Sequence, residues 1–308
     1  MRDFNRPVAI VSSASFETPS EPARNEVEML LPVIQKAMAD AGLTQQDIGF
    51  TVSGSSDYLQ GFPFAFVGAL DAVGPWPPIR ESHLEMDGAF ALAEAIAVLQ
   101  HDGIDTALVY AFARPSRGEL DRTLALQLDP YTVAPLNPDG RGLAGLQAQA
   151  MRDSGRFADV PDVPPTYVAD GATAVVLAVG DRAKELTANP VWVTGIDHRI
   201  EAPALGVRDL TTSVSAKVAG EHAGAAGAEA AWLHTPYPHQ ELLLREALGL
   251  GDRPAHCAAG PMMVGGLERF AQASRAVAAG DVSKAVAHAT SGPCLQQNLV
   301  GVLEGGAR

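Results

Sequence analysis

Residues 89–99, AFALAEAIAVL, hold a single charge, Glu94, in eleven positions. A helix that is apolar almost all round has to be covered on every side, so the fold must wrap other elements around this segment. Glu81-Ser82-His83-Leu84-Glu85 precedes it as a polar strand end, and Met86-Asp87-Gly88 makes the turn into it. Asp87 is placed to cap the helix, because its carboxylate can accept bonds from the free amides of the first turn. Gly103 closes the segment, and residues 107–112 (ALVYAF) follow as a strand. A polar strand end aimed at the N-terminus of a buried helix is where a fold would place a nucleophile or bind an anion. It is equally what a core helix with a good cap looks like, and the residues alone leave both readings open.

The same spacing recurs. Gly88 and Gly103 bracket the first helix fifteen residues apart, and Gly265 and Gly280 bracket a second at the same interval. Each is followed within a few residues by a similar strand, Ala107-Leu108-Val109-Tyr110-Ala111 and Ala285-Val286-Ala287-His288-Ala289. Each half also begins on an apolar strand, residues 8–12 and 191–196. An internal duplication of a strand-helix-strand unit is the economical reading, and the alternation implies sheets sandwiched by helices. We expect two mixed sheets, one from each half, with helices 89–99 and 267–278 packed between them. The second helix has a charged stripe (Glu268, Arg269, Gln272, Arg275), which predicts the more exposed of the two copies.

The remaining pattern predicts helices over 26–41, 143–154, within 209–222 and over 240–250, and strands over 50–53, 173–179, 230–234, 285–290 and 299–303. Residues 13–22 and 114–121 read as loops, and 181–189 as a connector. Residues 58–78, rich in Gly, Pro and aromatics, read as irregular, either walling a pocket or covering a sheet end.

The chain has 308 residues, 47% hydrophobic and 19% charged, enough for a sizeable core in one large or two fused domains. A net charge of −14, from 22 basic and 36 acidic residues, argues against a nucleic-acid partner, which needs clustered Lys and Arg. Cys257 and Cys294 make neither a disulfide framework nor a metal-binding set, and both read as small buried residues. Met1-Arg2-Asp3-Phe4 opens no signal peptide, and no run reaches the roughly 18 apolar residues of a membrane span. A cytoplasmic location is the simplest expectation.

Four segments carry a family resemblance over nearly the whole chain: EMDGAFALAEAIAVLQHDGIDTALVYA, ADGATAVVLAVGDRA, HTPYPHQELLLREALGL and SGPCLQQNLVGVLE. Together they resemble the thiolase superfamily. Within it they are most similar to the actinobacterial lipid-transfer-protein group, relatives of the sterol carrier protein x thiolase domain. The resemblance implies an α/β fold of the duplicated thiolase-like type, with five layers α-β-α-β-α. It also implies an N-terminal half at 1–189 with a short loop insertion at about 113–169, and a C-terminal half at 190–308. Several members of that group cleave steroid side-chain CoA thioesters by retro-aldol chemistry. The implied partners are a second thiolase-like subunit, as homodimer or heterodimer, and a small OB-fold, zinc-ribbon protein. No cofactor or metal is implied, the CoA thioester being substrate.

Carried over residue by residue, the resemblance exposes departures. The nucleophilic cysteine of thiolases lies three residues before the helix-opening glycine, where this chain has Glu85. The His-Asp-Cys-Phe segment becomes His234-Thr235-Pro236-Tyr237, and the Gly-His-Pro motif becomes Ala259-Gly260-Pro261, without its histidine. The Asn-rich Gly-Gly segment is missing between Gly251 and Ala255, and Cys294 lies two residues beyond the position of the last family cysteine. Thiolysis needs a thiolate to carry the acyl group, which Glu85 cannot replace. Retro-aldol cleavage needs only a base and an oxyanion site. The implied catalytic residues are Glu85, Asp87, His234 and Tyr237, with His83, His239 and Glu241 as substrate contacts. Each has a structural alternative: a buried carboxylate, a helix cap, a satisfied strand-end histidine, or partners of a helix dipole. Two functions stay open, a thiolase-fold aldolase acting on a bulky acyl-CoA and a non-catalytic thiolase-like subunit that pairs with an active paralogue.

Overall fold

The computed structural model describes residues 4–18, 24–60, 63–74 and 76–306. In chain order the first half runs β1 (Val8–Thr18), α1 (Glu26–Asp40), β2 (Phe50–Gly54), α2 (Asp57–Gln60), α3 (Ala65–Val73), β3 (Glu81–Leu84), α4 (Gly88–Val98), β4 (Thr106–Ala113), α5 (Leu120–Leu126), α6 (Gly140–Asp153), β5 (Asp170–Val179) and α7 (Gly180–Leu186). The second runs β6 (Val191–Ile200), α8 (Val214–Ala223), β7 (Ala230–His234), α9 (Gln240–Ala247), β8 (Ala255–Ala258), α10 (Gly265–Ala279), β9 (Lys284–Ser291) and β10 (Gln297–Glu304).

The duplication is visible in the hydrogen bonding. Outward from the centre, one half-sheet is ordered β1-β5-β4-β2-β3 and the other β6-β10-β9-β7-β8. In both, the inner two pairings are antiparallel and the outer two parallel. The expectation of two sheets is corrected in one respect. Val8, Ala9 and Ile10 of β1 pair with Val193, Trp192 and Val191 of β6, so the half-sheets join into one ten-stranded sheet. The two opening strands each bury an apolar run on both faces at this seam, which suits them to its middle.

Helices α4 and α10 touch each other between the half-sheets, as the duplication predicts. Phe90, Leu92 and Ile96 of α4 share a core with Leu267, Phe270 and Val277 of α10, with Val109 and Val175 on one side and Trp232 and Leu299 on the other. Burial of each of the larger of these side chains contributes about 1.5–3 kcal/mol. Outside this centre, α1 and α3 cover one half-sheet and α8 and α9 the other, completing the α-β-α-β-α order.

Four readings of the pattern are corrected. Residues 13–18 continue β1, while 19–22 of that expected loop lie outside the described residues. The segment at 58–78 contains α3, though Gly61, Phe62 and Pro75 lie outside the description. Residues 181–189 begin with a helix, α7. The charged stripe of α10 is only partly exposed: Arg275 is, but Arg269 is buried and so is Glu268, which accepts from the Thr173 hydroxyl (3.0 Å), the Gln272 amide (3.0 Å), the Arg275 guanidinium (2.9 Å) and the Ser15 hydroxyl. Hydroxyls on the neighbouring strands β1 and β5 let a charged residue sit inside a central layer.

Candidate functional site

Asp87 is where the two halves meet. Its carboxylate caps α4 by accepting from Ala89 N–H at 2.9 Å. The same carboxylate accepts from Gly266 N–H (2.8 Å) and Leu267 N–H (3.0 Å) in the first turn of α10. One buried side chain thus caps two central helices whose positive N-terminal ends converge on it. Burial pushes its pKa up, opposed by the three amides and by Arg269. The glycines at the start of α10 make this approach possible. A Cβ at Gly266 would lie 2.4 Å from Asp87 Oδ1, and one at Gly265 would lie 2.4 Å from Ala259 O and 2.9 Å from His234 Nε2.

A cavity of about 160 Å³ opens beside this junction, with Asp87, His234, Tyr237 and Thr290 among its polar lining. Its apolar wall comes from the segment between β4 and β5: Leu120 and Leu124 of α5, Leu128 after it, and Leu143 and Ala144 of α6. Met262 and Met263, just before α10, add to it.

His234 ends β7 and is buried. Its Nδ1 accepts from Thr290 N–H at 3.5 Å, and the ring also bonds the Ala259 backbone. Burial, helped by the Arg269 charge, pulls its pKa down to about 3, so the imidazole is neutral. Tyr237 is buried, and its hydroxyl lies 3.0 Å from Thr166 Oγ1. Burial raises the phenol above its ordinary value, so it is protonated at neutral pH. The thiol of Cys294 also faces the cavity, donating to Leu143 O at 3.4 Å, and burial pushes it up to about 11. No activated thiolate is found here, since a reactive cysteine needs its pKa lowered.

Of the seven site residues the sequence points to, the structure brings three together around the cavity: Asp87, His234 and Tyr237. The other four do not line it. His239 is fully buried, its Nε2 donating to Gln147 Oε1 at 3.1 Å and its ring stacked on Tyr237, so it ties α9 to α6 behind the cavity wall. Gln240, its neighbour, bonds the same Gln147 oxygen and does reach the cavity. Glu241 pairs with Arg245 one turn on along α9, at 2.9 Å. Glu85 is exposed and His83 half-buried, and they face each other at 3.3 Å at the end of β3. The step from Glu85 to Asp87 is decisive: the third residue after the strand, not the first, turns inward.

The sequence reading missed Thr166, Thr290 and the leucine wall. The spacing of Leu120, Leu124 and Leu128, four residues apart, is the signal that marks the wall, being one face of a helix and its extension. Nothing local marks Thr166, which meets Tyr237 from 71 residues away.

No family model and no curated protein matches this sequence. Solved structures do match. Human mitochondrial 3-ketoacyl-CoA thiolase superposes with a TM-score of 0.75 at 14% identity, over 99% of this chain and 100% of that one. The same enzyme in complex with CoA gives 0.71 at 14% identity, over 99% of each chain. The Ltp2-ChsH2(DUF35) aldolase gives 0.73 at 17% identity, over 96% of this chain and 97% of that one. The chain has the thiolase fold, and the resemblance read from its segments is borne out at that level. Among the described residues no helix is long and apolar enough to cross a membrane.

Proposed function

We propose that this protein binds a bulky, apolar acyl-CoA thioester and cleaves it by retro-aldol chemistry rather than by thiolysis. The observation that carries the reading is the cavity itself. It has an apolar wall of leucines and methionines, and a floor with protonated Tyr237 and neutral His234 but no activated thiol. The aldolase among the fold's neighbours supports the choice of reaction, and the CoA held by the thiolase neighbour supports the choice of carrier. Of the sequence candidates, Tyr237 is the residue assigned to proton transfer, and His234 lines the floor beside it as a neutral group. Asp87 holds the floor in place, and Glu85, His83, His239 and Glu241 are not assigned to substrate.

In the proposed step the β-hydroxyl proton leaves through the Tyr237–Thr166 pair to solvent. The bond between the α and β carbons breaks, the β carbon departs as a carbonyl compound, and the electron pair enters the thioester enolate, which takes a proton from water. Thr166 is half-buried, so the relay has a route out. A steroid side chain is the acyl group that the sequence resemblance suggests. The two-component Ltp2-ChsH2(DUF35) aldolase among the fold's neighbours supports assembly with a second protein.

The test is turnover of a bulky 3-hydroxyacyl-CoA, following the shortened acyl-CoA and the released carbonyl compound by mass spectrometry. Tyr237→Phe should lower turnover by about 10²-fold, the usual contribution of one proton-transferring group, with little change in melting temperature. Intact-mass measurement should show no acyl adduct on the protein. A stoichiometric adduct on Cys294 would overturn the reading.

A second reading, a non-catalytic subunit that lends its fold to an active partner, is favoured by one observation. Asp87 already accepts from three backbone amides, and His234 already bonds the backbone of Thr290 and Ala259. Binding of the thioester without turnover, alone and with the co-purifying partner, would select it.

A further inference from the structure

Outside the cavity, three side chains with metal-ligand chemistry converge where β2 and β3 end. Asp57, His83 and Glu85 each present one ligand atom, and these atoms lie within 4.8 Å of one another. A tetrahedral zinc with bonds of about 2.0–2.2 Å holds its ligand atoms roughly 3.4 Å apart, a spacing that His83 Nε2 and Glu85 Oε1 already match at 3.3 Å.

Three observations separate this cluster from an ordinary polar surface. His83 is oriented from behind: its Nδ1 meets Ser53 Oγ at 2.8 Å, and its ring stacks on Phe66 with centroids 4.6 Å apart and planes at 16°. That leaves Nε2 aimed at Glu85, with a hydrogen-bonding group fixing the ring in the way metal-binding histidines are held. The two carboxylates are also positioned by backbone. Asp57 takes Phe64 N–H (2.7 Å) and Ala65 N–H (2.8 Å) on separate oxygens, and Glu85 takes Asp57 N–H at 3.1 Å on both. Each oxygen keeps a lone pair for a further partner. Finally, among the described residues no Lys or Arg pairs with either acid, so two like charges face each other across one imidazole. In the turn leading into Asp57, the buried hydroxyls of Ser55 and Ser56 have no partner among the described residues.

We propose that Asp57, His83 and Glu85 form a binding site for a divalent transition cation of the Zn²⁺ or Mn²⁺ class. An imidazole with two carboxylates is a donor set suited to these ions, with water completing the coordination. The ion neutralises the facing acids and clasps the turn after β2 to the end of β3. It lies outside the cavity, and the proposal is independent of the retro-aldol reading.

The experiment uses the full-length protein stripped with a chelator, then titrated with Zn²⁺ or Mn²⁺ by calorimetry near neutral pH, with the retained metal counted by mass spectrometry. The expected result is one ion per chain. Glu85→Gln and His83→Gln should each weaken binding at least tenfold, and Ser53→Ala should weaken it by about 10–100-fold through loss of ring orientation. Glu85→Gln changes an exposed residue, and circular dichroism checks its fold, so the test survives if the other variants misfold. Absence of stoichiometric binding by the wild type overturns the proposal. So does binding of equal strength in Glu85→Gln and wild type, which would put the ion elsewhere.

Discussion

The two central helices begin in opposite ways. α4 brings its own acid, Asp87, directly before Gly88. α10 brings none: its own N-cap residue, Val264, makes no side-chain cap bond, and its first residues are the glycine pair Gly265-Gly266. In a duplicated fold each half would be expected to close its own helix. Here one half supplies a carboxylate and the other supplies amides, and the shared bond spans 179 residues of chain. The asymmetry converts two similar halves into one unit, since neither helix start is satisfied without the other. It also occupies the point of converging positive dipoles where an anionic ligand would otherwise bind.

The largest expected effect therefore belongs to Asp87. Asp87→Ala leaves three buried amides without an acceptor and should cost about 3–5 kcal/mol, measured by urea unfolding. Asp87→Asn keeps one acceptor oxygen and should cost less. Gly266→Ala approaches the same bond from the other half, because the new methyl would press on Asp87 Oδ1. It should destabilise in the same direction. If Asp87→Ala unfolds within about 1 kcal/mol of wild type, the halves are held by apolar packing alone and the comparison fails.

Histidine separates the halves a second time. The second half buries His234, His239 and His288, whereas the first half has no buried histidine among the described residues. Burial, the largest cause for all three, lowers the pKa to about 3 for His234 and about 4 for His239 and His288. A histidine whose folded pKa lies below its unfolded value near 6.5 stabilises fully above that value, and the stability is lost as pH falls toward the folded one. Each should then remove about 1.4 kcal/mol per pH unit below pH ~6.5. Hydrogen exchange corrected for intrinsic rates should show β7, α9 and β9 losing protection on acidification before β2, α4 and β4. Simultaneous loss in both halves would mean that the seam at Asp87 makes unfolding all-or-none.

Much of this architecture was legible in the sequence, because local patterning dictates it. The apolar run of α4, the repeated glycine bracket and the strands after each helix all report burial directly. Asp87 was legible as a cap for the same reason. Its bonds to Gly266 and Leu267 were not, since no pattern within a window reaches across 179 residues. The exposure predicted for α10 failed at Glu268, which is satisfied by Ser15 and Thr173 on strands far away in sequence. At the site, proximity in sequence misled. Glu85 and Asp87 are two residues apart, yet the end of β3 leaves one at the surface and the turn buries the other. His239 and Tyr237 divide in the same way, one bonded to Gln147 behind the wall and the other lining the cavity.

The smallest expected effect compares the first turns of the helices that follow β2 and β7. Asp57, in α2, is drawn into capping Phe64 and Ala65, whereas Glu241, in α9, makes a partly exposed pair with Arg245. Exposed pairs of this kind contribute about 0.2–1 kcal/mol, so Glu241→Gln should barely move the unfolding midpoint. Its effect should appear in chemistry instead. Cys257 on β8 is pushed up to about 12, first by burial and then by the Glu241 charge and its hydrogen bond. Removing that charge should lower the thiol's pKa and raise its rate with an alkylating reagent at mildly alkaline pH, because the thiolate is the reacting form. Cys294 is an internal standard: burial holds it at about 11, and Glu241 is not among the causes of its shift. Peptide-level mass spectrometry can follow both cysteines in one sample. A severalfold faster reaction at Cys257 with Cys294 unchanged would show that α9 tunes the edge strand β8 electrostatically without carrying the fold. Equal rates in wild type and Glu241→Gln would leave burial as the sole control on that thiol.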